Sequence, residues 1–536
     1  MLVREQNAIK KEWNEEKIKI GLIYPQTYRV AMTSLAIQLL YFLFNSWDNF
    51  ICERIFKPLN PTQTPYSLES QKNMKDFDII AISCQFEFDY IYAIEILQKA
   101  GIEPDVRKRK ESDPLIMIGG PSVTVNPFPI LFVPDIFFLG DFEPVERLFR
   151  NALSEKSKRL RIESLLDIPG VIGYNHSYDK NGKWIGQKAR SVKIKDFSNT
   201  FYPIKQIIPE NVQGTKNEPI FGKAYYLETD RGCNQRCNFC MVGHCRFPRV
   251  GRTLEKLTEI IDLASEQNDF DKVIIYGSAV AQSGNLDKLL EHIVNLGYEV
   301  SCSSFRADYI TEELLTILKN GGQRTLTLAP ETGDEELRLD INKIMYDEDI
   351  FNAVDIAWKT GFRQLKLYMI YGFPFEDEIV EQRNIDFVKN IRKKYFPTGK
   401  ISVSINQFIS KANTPFQFAP MLTIKDSKMK QQKYKKEIYQ IKNTTPGFYE
   451  PEWAAIQKIL SLRDQTYFPF LLEIAQLKNT IGNWKRLLKK NNNSFDKELL
   501  WHPEIKDELP WDNIIHNLSK KTVVAAYLKY MDKRAK

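Results

Sequence analysis

Short apolar or β-branched runs alternate with helix-length amphipathic stretches up to Phe408, and this alternation restricts the chain to parallel sheets flanked by helices. The first set of runs is Ile18–Tyr24, Phe77–Ser83, Leu115–Ile118 and Asp135–Leu139, in a segment that closes near Pro169. Several end in turn residues (Tyr24-Pro25, Gly119-Gly120-Pro121, Gly140-Asp141), and open sheets of this kind bind ligands at the carboxyl ends of their strands. A polar stretch from Tyr178 to Asn217, containing the hairpin-like Asp179-Lys180-Asn181-Gly182, reads as a connector. The second set is Ala224–Glu228, Lys272–Tyr276, Glu299–Ser303, Arg324–Ala329, Gln364–Ile370 and Ile401–Phe408. Six strands with intervening helices suit a partial (β/α)6 barrel of the TIM type. Beyond Pro420 the chain turns to Lys-rich helical segments with no comparable strand run. The expected α/β fold is a Rossmann-like doubly wound sheet over residues 1–177, a connector over 178–220, a barrel core over 221–420 and a mainly helical region over 421–536.

Composition narrows the function classes. Of 536 residues, 43% are hydrophobic and 27% charged, the balance of a chain that folds rather than of a disordered or collagen-like one. Lys and Arg number 75 against 68 Asp and Glu, and the resulting +7 permits contact with phosphates or anionic surfaces without demanding a nucleic-acid partner. Met1 to Lys17 is dense in charge and lacks the apolar core of a signal peptide, and no run approaches the about 18 consecutive apolar residues of a membrane span. The expected setting is cytoplasmic. Seven cysteines is an odd number for a disulfide framework, and in a reducing compartment they point to metal or redox chemistry.

Three of them stand in Arg231-Gly-Cys-Asn-Gln-Arg-Cys-Asn-Phe-Cys240, directly after the first run of the second set. Three thiolates on one loop can ligate three irons of a 4Fe-4S cluster and leave the fourth iron open. Zinc is the rival, with His244 or Cys245 as a fourth tetrahedral ligand. The position of the loop, at the carboxyl end of a first barrel strand, favours the cluster. In the spacing of Cys233, Cys237 and Cys240, with the aromatic Phe239 before the last, the chain resembles the radical S-adenosylmethionine (SAM) superfamily. The resemblance implies that the open iron holds the amino and carboxylate groups of SAM. It implies further that the reduced cluster cleaves the carbon-sulfur bond to a 5'-deoxyadenosyl radical, which takes hydrogen from an unactivated substrate carbon.

Other SAM contacts follow from the same resemblance. Gly277-Ser278-Ala279 stands where the superfamily often has a Gly-Gly-Glu turn on the methionyl amine; the glutamate is missing, so only Gly277 and Ser278 carry over. Glu331 would face the ribose or amine, Ile370 to Gly372 the adenine, and Lys366 the carboxylate. As bare residues, Glu331 reads equally as a charge at a helix N-terminus and Lys366 as the partner of a structural acid. Cys52–Phe56, Phe86–Tyr90, Gly119–Thr124, Arg246–Arg249 and Asn413–Gln417 resemble signatures of the subgroup with an N-terminal cobalamin-binding-like domain. Ser83, Gly119, Gly120 and Gly140 are then its cobalamin candidates. The first histidine is His176, so cobalamin would bind without an imidazole from the first domain; the alternative is a retained fold without the cofactor, serving as lid or docking surface.

Cys52 and Cys84 read as small buried residues. A tRNA methylthiotransferase, an alternative of similar architecture, carries three cysteines in its first domain for a second cluster, and two fall short. The resemblance implies carbon-carbon bond formation or cobalamin-dependent methyl transfer, with the archaeal tetraether-lipid ring synthases, which close cyclopentane rings, as one specific case. A non-enzymatic iron-sulfur or zinc protein is the alternative from another class. An electron donor such as ferredoxin or flavodoxin is implied, with a small-molecule or lipid substrate, no nucleic acid, and peripheral membrane contact left open. The apolar Val30 to Phe44 stretch would suit a lipid but reads first as a buried helix. Near the end, Tyr467, Phe468, Phe470 and Trp484 could cap the barrel and exclude water, although core packing is the commoner role of such residues.

Overall fold

The computed structural model describes residues 3–174, 184–186 and 188–534; the Asp179–Gly182 turn and His176 lie outside the described residues. The first domain is built on β1 (Ile18–Tyr24), β2 (Phe50–Phe56), β3 (Ile79–Ser83), β4 (Leu115–Gly119), β5 (Ile136–Phe138) and β6 (Val171–Gly173). Their order across the sheet is β2-β1-β3-β4-β5-β6, and only β6 runs antiparallel. The winding reverses between β1 and β3, and such a switch point opens a crevice at the carboxyl ends of the strands. Two of these strands were not among the expected runs. In β2, Glu53 and Arg54 interrupt the apolar pattern, and the buried Arg54 is neutralised by Glu5 at 2.5 Å and Glu69 at 2.7 Å. A paired charge can thus occupy a strand that a hydropathy reading passes over. β6 is missed because its two apolar residues, Val171 and Ile172, stand between Gly170 and Gly173, too short a run to register. Val30–Phe44 contributes the helix Leu35–Asn45, largely buried against β1 and β2.

All six runs of the second set form strands: β7 (Ala224–Arg231), β8 (Lys272–Gly277), β9 (Glu299–Cys302), β10 (Thr325–Glu331), β11 (Gln364–Tyr371) and β12 (Lys400–Gln407). A parallel bridge from Phe305 to Leu328 joins the β7-β8-β9 group to the β10-β11-β12 group. Beyond Pro420, in a region otherwise mainly helical, β13 (Thr444–Gly447) adds a short strand parallel to β12; Thr-Thr-Pro-Gly carries no apolar signal to reveal it. Alternation divides each strand. Leu365, Leu367 and Met369 of β11 and Ile401, Val403 and Ile405 of β12 join the core beneath the outer helices. The opposite face, with Lys366, Tyr368 and Ile370 beside Ser402, Ser404 and Asn406, turns to the barrel interior and stays more accessible.

The aromatics near the chain end take the commoner of their two expected roles, core packing, and do not cap the barrel. Phe468 packs on Phe132 of the first domain at 5.5 Å, Phe470 on Trp484 at 5.0 Å, and helix Phe468–Leu477 runs along helix Asp89–Lys99. The C-terminal region therefore shares one apolar core with the first domain, because the outer face of that helix is too apolar to be left in water. The last helix, Lys520–Arg534, returns to the barrel rim, where Tyr530 meets Phe416 at 4.7 Å. No described helix is long and apolar enough to cross a membrane.

Candidate functional site

The cysteine loop begins where β7 ends. Gly232 has φ +79° and a side chain there would lie 2.0 Å from the Arg246 carbonyl, so only glycine permits this entry. Asn238 then pins the loop from within: its N–H donates to Ile341 O at 2.9 Å, its Nδ2 to Asp340 O at 3.3 Å, and its carbonyl accepts from Phe416 N at 3.1 Å. Cys237 is buried, whereas Cys233 and Cys240 are half-buried. Burial pushes the Cys237 thiol up to about 12 against the opposing charge of Lys343, so loading a metal centre would release protons.

Three thiols on one loop are the donor set of an iron-sulfur cluster. The zinc alternative does not assemble. His244 donates Nε2 to the Cys237 carbonyl at 3.1 Å, and burial holds its imidazole down at about 4. Cys245 is fully buried at the end of helix Met241–Cys245, where the Lys193 ammonium takes its carbonyl. Among the described residues no three His, Cys, Asp or Glu side chains converge on the position of a single ion, whereas a cluster spreads its thiolates over separate irons. Cys245→Ala is therefore expected to keep full iron and acid-labile sulfide; loss of the cluster in that variant would instead indicate a four-thiolate site.

Both flanks of the loop are tied to the first domain by buried charge. Arg231 reaches Glu143 at 2.7 Å, Asp141 at 3.3 Å and Glu228 at 2.6 Å, and Arg246 also pairs with Asp141. Burial alone would raise the Asp141 carboxyl, but Arg246 and Arg231 outweigh it and hold the group below the usual carboxylate range.

Beside this network a cavity of about 610 Å³ separates the two domains. It is floored by the carboxyl ends of β1, β3 and β4, walled by Leu35, Leu39 and Phe44, and closed by Glu228, Met241 and Tyr276 from the barrel side. Ser83, Gly119, Gly120 and Gly140 all line it. Two of these glycines are also demanded by the chain itself: a side chain at Gly120 would stand 2.2 Å from the Cys84 carbonyl, and one at Gly140 would stand 2.1 Å from that of Val192.

The expected SAM contacts separate into groups. Phe239 meets Phe373, which follows Gly372, with ring centroids 5.8 Å apart, so the cysteine loop and the end of β11 converge. Gly372 N and Phe373 N donate to the buried Glu376 at 2.8 and 3.2 Å, and burial raises that carboxyl to about 7. Glu331 has φ +67° and pairs with Lys343 at 3.0 Å. Gly277 and Ser278 border the cavity, where a side chain at Gly277 would fall 2.3 Å from an Asp230 oxygen. Lys366 stands apart, four residues before Ile370 and so about 13 Å lower along β11. Asn238, Lys343, Asp141 and Glu143 are contributors that sequence reasoning missed; the one available signal was that Arg231 and Arg246 bracket the cysteine triplet.

Comparison with known proteins bears directly on this arrangement. The family model for the radical SAM superfamily matches residues 227–383, and that for the N-terminal part of radical SAM proteins matches residues 36–172. An uncharacterized protein of Methanocaldococcus jannaschii is 31% identical over 399 residues, spanning 74% of this chain and 79% of its own length. The chain belongs to the radical SAM superfamily. It is accordingly an enzyme whose cofactors are a 4Fe-4S cluster and SAM. The threonylcarbamoyladenosine tRNA methylthiotransferase MtaB of Aquifex aeolicus is 25% identical over 180 residues, 32% of this chain and 44% of that protein. Among solved structures, the cobalamin-dependent SAM radical enzyme OxsB with aqua-cobalamin bound matches at a TM-score of 0.50 and 14% identity, over 97% of this chain and 80% of its own. The two share a fold.

Proposed function

We propose that this radical SAM enzyme takes hydrogen from an unactivated substrate carbon and then makes a carbon-carbon bond or transfers a methyl group, with cobalamin held in the cavity between its domains. The observation that carries this reading is the position of the cavity, which spans from the strand ends of the first sheet to Met241 and Val242, the residues that directly follow Cys240. When bound, the cluster on Cys233, Cys237 and Cys240 supplies the electron for SAM cleavage, and cobalamin supplies a cobalt able to carry a methyl group. Phe239, Ile370 and Gly372 would seat the adenosyl part of SAM, and Glu331 its ribose or amine. The apolar residues Leu35, Leu39, Leu40 and Phe44 line one wall of the cavity and would shield a cofactor held there from water on that side. The fold shared with OxsB supports cobalamin as the occupant. A methylthiotransferase reading is less favoured, because Cys52 and Cys84 are fully buried in separate cores on opposite faces of the first sheet.

Loading the anaerobic protein with hydroxocobalamin tests this reading. The expected outcome is about one cobalamin retained per chain through gel filtration, with Gly119→Trp, which intrudes on the cavity, weakening retention by roughly tenfold or more. Failure of the wild-type chain to retain cobalamin would remove the cofactor from the reading. No described histidine lines the cavity, so the Co(II) form should show no electron paramagnetic coupling to a protein imidazole nitrogen. Such a coupling would contradict the assignment.

A further inference from the structure

On the interior face of the barrel, the charge of Lys366 has no ion-pair partner among the described residues. In register across β10, β11 and β12, Thr327, Lys366 and Ser402 stand side by side, with Tyr368 and Ser404 as the next pair above. Neighbouring strands lie about 4.8 Å apart, so the two hydroxyl-bearing residues stand on either side of the lysine stem. The ammonium of Lys366 lies 4.7 Å from the centre of the Tyr368 ring, and no described carboxylate is within ion-pair distance. Two acids of the barrel strands are engaged elsewhere: Glu331 by Lys343 at 3.0 Å and Glu299 by Lys272 at 2.8 Å. A half-buried ammonium among hydroxyls, without a counter-charge, is an incomplete site for an oxyanion.

We propose that the lower interior of the barrel binds an oxyanion of the substrate, a carboxylate or a phosphate, on Lys366 with Thr327 and Ser402 donating beside it. The inference rests on the radical SAM reading only in placing SAM at the upper rim, about 13 Å above Lys366 along β11. It assigns Lys366 to the substrate rather than to the SAM carboxylate. The substrate is then anchored by a charged end deep in the barrel, with its reacting carbon carried upward toward the cysteine loop.

The test uses the cluster-loaded full chain and an acetylating N-hydroxysuccinimide ester, with the reaction of each lysine read by peptide mass spectrometry. Inorganic phosphate and formate serve as the oxyanion probes, SAM as a third addition, and the exposed Lys529 as internal reference. Either oxyanion should slow acetylation of Lys366 by about fivefold or more relative to Lys529, an effect that Ser402→Val reduces and SAM alone does not produce. Protection by SAM alone would return Lys366 to the SAM carboxylate and overturn the proposal, as would equal reactivity with and without either oxyanion. Cleavage of SAM in the same preparation is scored separately, so failure of the radical reading is distinguishable from failure of this one.

Discussion

Replacing Cys233, Cys237 and Cys240 together with alanine is expected to take the anaerobically reconstituted protein from about four irons and four sulfides per chain to essentially none. The loop should survive the change. It is held by Asn238 and by the ion pairs of Arg231 and Arg246, not by the thiols, and two of the three sulfurs are only half-buried. Reductive cleavage of SAM should disappear with the cluster, because the remaining cysteines, Cys52, Cys84, Cys245 and Cys302, are all buried and offer no second three-thiol loop. Iron and sulfide determination, with circular dichroism to verify folding, measures the outcome. Native iron and sulfide content in the triple variant would remove the assignment.

The second large effect concerns the join between the domains. Arg231→Met leaves Asp141 with Arg246 as its remaining ion-pair partner and Glu143 buried with none among the described residues, and uncompensated buried charges of this kind cost about 3–5 kcal/mol. A correspondingly lower urea midpoint is expected, together with reduced cluster loading, since Arg231 stands two residues before Cys233. Acid should act on the same network. The Asp141 carboxyl is lower in the folded than in the unfolded chain, so its contribution is complete above the unfolded value of about 3.9 and is lost as pH falls through the folded one. Asp141→Asn should accordingly flatten the acid limb of the stability profile below about pH 4. An unchanged midpoint in Arg231→Met would show that the pairs made by Arg231 do not help to hold the domains together.

Much of this architecture was legible in the sequence, and the gaps have physical causes. The six barrel strands could be read because each is apolar on its helix-facing side and bounded by turns, as in β11, where Leu365, Leu367 and Met369 alternate with accessible residues. β2 escaped because the Arg54 charge is cancelled by Glu5 and Glu69, partners distant in sequence. The cysteine spacing marked the cluster loop, since ligation by one loop is a local property. Its support was not visible, because Asn238 answers to Ile341, Asp340 and Phe416, contacts about a hundred residues or more away. Gly120 and Gly140 are cavity-lining positions, yet the close approach of Cys84 and Val192 backbone explains their glycines without any ligand. The aromatics of the C-terminal region were recognised as packing residues, but amphipathic spacing does not say which domain they cover.

The fate of SAM on the reduced, cluster-loaded protein tests the central claim most directly. With substrate present, 5'-deoxyadenosine should form, should require all three cysteines of the loop, and should carry deuterium when the reacting carbon of the substrate is deuterated. Bound SAM that yields neither 5'-deoxyadenosine nor a covalent adduct of it, with the cluster intact and reduced, would contradict radical chemistry at this site.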